Sequence, residues 1–233
     1  MNDLISPVSY RIIRSRKRKT AAIRISEKGV EVRVPHWVSD LWVRNWVQSK
    51  EVWIRQKSEK LSSELAEGCL KVADGAMFPY KGEYYAITWE IGPKNRASLD
   101  DQKLNIFITN RSKKAVEERV KSCLQAWYKT EAENYFSERI VYWQNVMGLQ
   151  SNSLIIKNYK RRWGSCTSKG DISLNWRLIF AEKSLIDYVL IHELAHLVHL
   201  NHRPEFWQLV EKYCENWKEC RDKLQKCTSW ILW

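Results

Sequence analysis

The chain has 233 residues, long enough to bury a core without covalent staples, and 44% hydrophobic with 28% charged residues is the composition of a globular protein. No apolar run approaches the ~18 residues of a membrane span, and Met1 to Tyr10 lacks the basic and apolar regions of a signal peptide, so a cytoplasmic protein without a membrane partner is expected. Lys and Arg number 39 against 27 Asp and Glu, a net charge of +12, and residues 1–60 hold 14 of the basic and 6 of the acidic side chains.

Tyr10 to Arg14, Thr20 to Ser26 and Val30 to Val34 are short and β-branched, and Glu27-Lys28-Gly29 joins the last two as a hairpin. The basic run Arg14-Ser15-Arg16-Lys17-Arg18-Lys19 reads equally as a phosphate-attracting patch, a route to nucleic acid, and as a solvated turn. From Ser39, an N-cap, one amphipathic helix is expected through Trp42, Val43, Trp46, Val47, Trp53, Ile54, Leu61 and Leu65 to a stop at Gly68. Its tryptophans read as core rather than as a stacking surface for bases.

Met77 to Ile91, centred on Lys81-Gly82, and Leu104 to Thr109 suggest further antiparallel strands. A helical pattern opens at Ser112 and closes at Gly148. Strands at Leu154 to Lys157 and Ile172 to Trp176 follow, then helices at Lys183 to Leu200 and Glu205 to Gln225. The expectation is an α+β fold in one continuous compact unit, with a β-rich N-terminal region over 1–110 that includes the long amphipathic helix, and a helical region with a small sheet over 111–233. Cys69, Cys123, Cys166, Cys214, Cys220 and Cys227 form no C-x-x-C pair and read as reduced, mostly buried thiols.

His192-Glu193-Leu194-Ala195-His196 is an H-E-x-x-H sequence inside the apolar-periodic segment from Lys183. Residues i and i+4 lie about 40° apart around a helix and ~6 Å along it, so both imidazoles can reach one ion, with Glu193 beside it as general base toward water. Accident would produce the pattern in about one such chain in a hundred. A catalytic zinc takes three protein ligands. His199 lies ~10.5 Å beyond His192 on a continuous helix, too far to share the ion, so His202 is the third candidate. Asn201, as a left-handed helix end, and Pro204 would turn the chain back. His36 reads as structural. A His₃ set suits zinc, while nickel or cobalt could also occupy it. The metzincin spacing is matched, but their downstream Met-turn is missing because Met1, Met77 and Met147 all precede the motif.

Arg161-Arg162-Trp163-Gly164-Ser165-Cys166 has two readings. A Gly beside an aromatic suggests a close backbone approach, with Arg161 or Arg162 donating to an oxyanion or a phosphate. Alternatively Trp163 and Cys166 pack beneath the motif helix and one arginine sits in a salt bridge. Ser165 and Cys166 have no helper base and are not read as nucleophiles.

Several blocks together resemble the YgjP-like metallopeptidase family of predicted metal-dependent hydrolases, and more distantly the SprT-like proteases. They are Ser15 to Thr20 with Val34-Pro35, Trp53-Ile54-Arg55, Arg162 to Cys166 with Ile172 to Leu178, and His192 to His196 followed by Asn201-His202 and Phe206-Trp207. The resemblance implies a zincin-like C-terminal region, zinc ligands His192, His196 and His202, and a catalytic Glu193. The leading expectation is zinc-dependent peptide hydrolysis. The alternatives are a metal-dependent UTP pyrophosphatase, an activity attributed within that family, and a nucleic-acid-associated module with a vestigial site.

Overall fold

Tyr10–Ser15 (β1), Ala22–Ser26 (β2) and Gly29–Pro35 (β3) form a mixed sheet in the order β1-β3-β2, with β3 antiparallel to β2 and parallel to β1. Val32 and Val34 of the central strand are fully buried. On the other face Glu31 stands in register with Arg11 and Arg24 and also meets Arg33. The expected hairpin is present, although Glu27 and Lys28 of its turn lie outside the described residues. The computed structural model describes residues 8–26, 29–68, 70–100, 102–227, 230 and 233, and divides into two compact units, Met1–Glu67 and Gly68–Trp233.

Two helices, Asp40–Ser49 (α1) and Glu51–Gly68 (α2), stand where one was expected. Ser39 caps α1 by accepting from the Trp42 N–H at 3.2 Å. The Lys50 N–H turns back to the Val47 carbonyl and the Ser49 hydroxyl donates to the Trp46 carbonyl, so the last turn tightens and closes before Glu51 begins the next helix. The expectation that the tryptophan stripe is core needs correction. Val43, Val47 and Ile54 are buried, whereas Trp42 and Trp53 are exposed and Trp46 is half-buried. The side chains of Leu61 and Leu65 lie outside the described residues.

In the second unit Met77–Tyr80 (β4), Glu83–Ile91 (β5), Arg96–Asp100 (β6) and Lys103–Ile108 (β7) form a sheet in the order β4-β5-β7-β6, parallel only between β5 and β7. Lys81 (φ 52°) and Gly82 (φ 87°) make the two-residue turn between β4 and β5. A Cβ on Gly82 would lie 2.9 Å from the Glu182 Cα, so the turn is docked as well as tight. The sheet packs on the core of this unit through Phe78, Ile87, Leu104, Ile106 and Ile108. The β-rich region expected over 1–110 thus includes residues of both units.

Helix α3 (Val116–Met147) organises that core. It starts at Val116 rather than Ser112, whose hydroxyl instead accepts from the Lys114 N–H in a turn. Val120, Leu124, Tyr128, Ala132, Phe136, Ile140 and Gln144 are buried at every fourth residue, a stripe that drifts about 40° per step around the helix. Its contacts change accordingly. Cys123 approaches the Phe107 carbonyl of β7, Tyr128 donates to Pro79 of β4, Arg139 pairs with Asp187, and Gln144 donates to Ser151.

The third sheet has Ser153–Lys157 (β8), Gly164–Cys166 (β9) and Asp171–Asn175 (β10) in the order β8-β10-β9. A buried 3-10 helix, Trp176–Phe180, leads into α4 (Lys183–Ala195), α5 (Pro204–Tyr213) and α6 (Trp217–Lys226). The single helix expected over Glu205 to Gln225 is broken at Cys214 (φ −144°, ψ 84°). Among the described residues, six α-helices and three small sheets make the fold α+β, as expected. Among the described residues no helix is long and apolar enough to cross a membrane.

Candidate metal centre

Helix α4 is apolar almost all round: Leu185, Ile186, Val189, Leu190, Ile191, Leu194 and Ala195 are buried, which holds it inside the unit. Its last turns carry His192, Glu193 and His196. The helix ends at Ala195, short of the expected Leu200, because the N–H groups of Leu197 and Val198 bond three residues back, to Leu194 and Ala195. Asn201 does not take the left-handed conformation expected of it, since Lys81 alone does so among the described non-glycine residues. The tightened turn changes the chain's direction, and Pro204 opens α5 immediately after His202.

Three imidazoles converge as a result. One nitrogen from each of His192, His196 and His202 lies within 4.8 Å of the others, and the Nε2 atoms of His192 and His202 are 3.1 Å apart. The turn also sets a tautomer: His196 Nδ1–H donates to the His199 carbonyl at 3.0 Å, which can only accept, so Nε2 of His196 keeps its lone pair. His199 therefore takes part through its backbone. Phe206, fully buried, has its ring centroid 4.9 Å from His192 and 4.6 Å from both His196 and His202. Trp207 stacks on His202 and, at 4.1 Å, on Trp217, so a column of rings supports the residue farthest from α4.

Burial pushes His192 down to about 3, with His196 and His202 adding to the effect, and the ring is neutral as a metal ligand must be. Glu193 is 5% exposed and its Oε2 has no hydrogen-bond partner among the described residues. Burial pushes its carboxyl up to about 8 against the opposing pull of Arg162. Three converging nitrogens are what a divalent cation would take as ligands, and the carboxylate oxygen beside them is placed to accept from a water, so the residues fit one.

Strand β9 borders this carboxylate. A Cβ on Gly164 would lie 2.5 Å from Glu193 Oε1, the close backbone approach read from the sequence. Asn175, fully buried, pins the preceding loop by donating from Nδ2 to the carbonyls of Tyr159 and Arg162 while Oδ1 accepts from the Arg177 N–H. The Ser165 hydroxyl is shared with Tyr159, and burial pushes the Cys166 thiol up, with the Glu193 charge adding to it.

A cleft of ≈ 340 Å³ opens beside His192 and Glu193, lined by Arg161, Trp163, Gly164, Tyr188 and Arg221 among others. Arg161 faces this space. Arg162 lies over the Tyr159 ring at 5.5 Å. Among the described residues neither arginine makes a salt bridge, so that part of the alternative reading fails, while Trp163 and Cys166 do pack against the core that contains α4. Sequence reasoning missed Arg221, which α6 brings to the cleft beside the Trp207–Trp217 stack. No local pattern marks it.

The model of the YgjP-like metallopeptidase domain matches residues 19–227. No curated protein matches the chain. Among solved structures, the metallopeptidase zymogen of Pyrococcus abyssi abylysin is 30% identical over a match covering 38% of this chain and 90% of that one, with a TM-score of 0.35.

Proposed function

Because the chain belongs to the YgjP-like metallopeptidase family and is a metal-dependent hydrolase, we propose that it is a zinc peptidase in which His192, His196 and His202 hold the ion and Glu193 is the general base. The observation that carries this reading is the convergence of three imidazole nitrogens beside the unpartnered Oε2 of a buried carboxylate. A divalent ion there would polarise the scissile carbonyl and lower the pKa of water toward about 7.

Glu193 takes the proton of the attacking water at Oε2 and returns it to the departing amine. Burial raises this carboxyl, and a divalent ion beside it would favour the ionised form in which it acts as base. Gly164 leaves room for Oε1 and aligns the carboxylate edge. Arg161, facing the cleft, orients the substrate and donates to the oxygen on which charge develops, and Arg162 favours the ionised form of Glu193. The reaction is placed in the cytoplasm, in keeping with Cys123, Cys166, Cys214, Cys220 and Cys227 as free thiols.

One observation favours the second reading, a nucleotide pyrophosphatase: two guanidinium groups, Arg161 and Arg221, line the same cleft. The test gives zinc-loaded protein a denatured protein substrate and, separately, UTP. Peptide cleavage that vanishes in Glu193→Gln while the metal stays bound supports the peptidase. Pyrophosphate release without peptide cleavage would overturn it.

A further inference from the structure

The first unit carries an aromatic surface that its own core does not use. Trp37 is 71% exposed, Trp42 46% and Trp53 43%, although the neighbouring Val38, Val43 and Ile54 are buried. The indoles form a run. Trp37 and Trp42 line a cleft of ≈ 470 Å³ that includes Lys19. Trp42 and Trp46 stack at 5.3 Å and 27°. Trp46 and Trp53 line a second cleft, of ≈ 290 Å³, with Ile23 and Lys50. Each cleft thus holds two indoles and one ammonium group, and the stacked pair joins them.

The charge of this face is one-sided. No acidic residue lines either cleft. Arg11, Arg24 and Arg33 are engaged by Glu31, and Arg14 by Asp40. Among the described residues, no carboxylate lies within ion-pair distance of Lys19, Arg44 or Lys50, nor of Arg16, Lys17 and Arg18, which lead into Lys19.

We propose that this tryptophan face binds single-stranded nucleic acid, with bases against the indoles of the two clefts and phosphates on Lys19 and Lys50. Concave apolar slots beside a cation accept a flat ring that carries a phosphate on its sugar. A duplex keeps its base faces inside its own stack. An acidic peptide supplies the charge without flat rings for the slots. An anionic bilayer supplies headgroup phosphates but no flat rings to enter the slots.

The test uses the full chain and a fluorescein-labelled oligodeoxythymidine of about a dozen nucleotides, followed by anisotropy, with a duplex of equal length as competitor and phosphatidylserine–phosphatidylcholine vesicles in parallel. The oligonucleotide is expected to bind and to outcompete the duplex. Trp42→Ala and Trp53→Ala should each weaken binding about 5-fold to 100-fold, and Trp42→Phe should restore most of the loss. Lys19→Gln and Lys50→Gln should each reduce the slope of log affinity against log salt by about 0.7. Circular dichroism checks each variant; if Trp53→Ala does not fold, Trp37→Ala, at the most exposed position, carries the same expectation. Absence of oligonucleotide binding, wild-type affinity in the folded alanine variants, preference for duplex, or binding to vesicles alone would each overturn the proposal.

Discussion

Gly164 and Glu193 are in contact across the cleft wall: the backbone of one comes so near the carboxylate of the other that a single added methyl would lie 2.5 Å from Oε1. Strand β9 therefore limits where the carboxylate can stand. This is the basis for the first expected outcome. Gly164→Ala should cost about 1–3 kcal/mol of stability by overpacking and displace the carboxylate. Peptide cleavage should fall sharply while metal content is unchanged. Urea unfolding, metal analysis and a cleavage assay on the same preparation check it, and full activity would disprove the contact.

His199 and His202 stand differently at the candidate metal centre, one through a backbone carbonyl that His196 Nδ1 bonds and the other through its converging ring. In His202→Ala the metal-to-protein ratio should drop well below the value of about one expected for a His₃ site. In His199→Ala the carbonyl persists, and the ratio should stay near that of the wild type. Elemental analysis after dialysis distinguishes the two, and equal metal loss in both would show that the His199 ring is needed.

The fully buried Asn175 side chain makes three hydrogen bonds, two donated to carbonyls of the arginine-bearing loop and one accepted from the Arg177 N–H of the following 3-10 helix. Asn175→Ala should lose about 2–4 kcal/mol, since two carbonyls and an N–H lose their partner. Asn175→Asp should fare no better despite its equal shape, because an oxygen then faces the carbonyls of Tyr159 and Arg162. Denaturant midpoints for the two variants measure this.

The Arg33 guanidinium, then that of Arg11, holds the Glu31 carboxyl below its usual value of 4.5. A carboxyl with a depressed folded pKa contributes stability that is present above its unfolded value and is lost as pH falls through the folded one. The thermal midpoint of the full chain should therefore decline on acidification below about pH 4.5, and Glu31→Gln should lower the midpoint near neutrality and flatten that decline. Melting curves followed by circular dichroism across acidic pH test it. An unchanged acid limb in the variant would remove Glu31 from the account.

What the sequence disclosed was local chemistry with a period. The Ser39 cap, the Gly148 stop of α3 and the spacing of His192, Glu193 and His196 each follow from a few consecutive residues, and each is found where expected. Partner choice left no comparable trace. Tyr10 to Ser15 alternates well enough to be a strand, but nothing in it announces a parallel neighbour in β3. Strand β9 spans three residues and has no period at all. The tryptophans of α1 share the helical spacing of Val43 and Val47, so spacing alone could not tell the wet side of the stripe from the dry one. Arg221 reaches the cleft only because α6 packs against α4.

Helix α3 meets its neighbours in a set sequence, from β7 near Cys123 to Asp187 opposite Arg139 and Ser151 opposite Gln144. One extra residue inserted between Ala132 and Phe136 would rotate everything after it by about 100° and advance it by about 1.5 Å. Arg139 would swing away from the helix that bears His192, Glu193 and His196, while the half of α3 nearer Val116 kept its seat. The rod therefore acts as a phase standard for the unit: it can tolerate an exchange of side chains, but a change in its length would leave α4 without its brace.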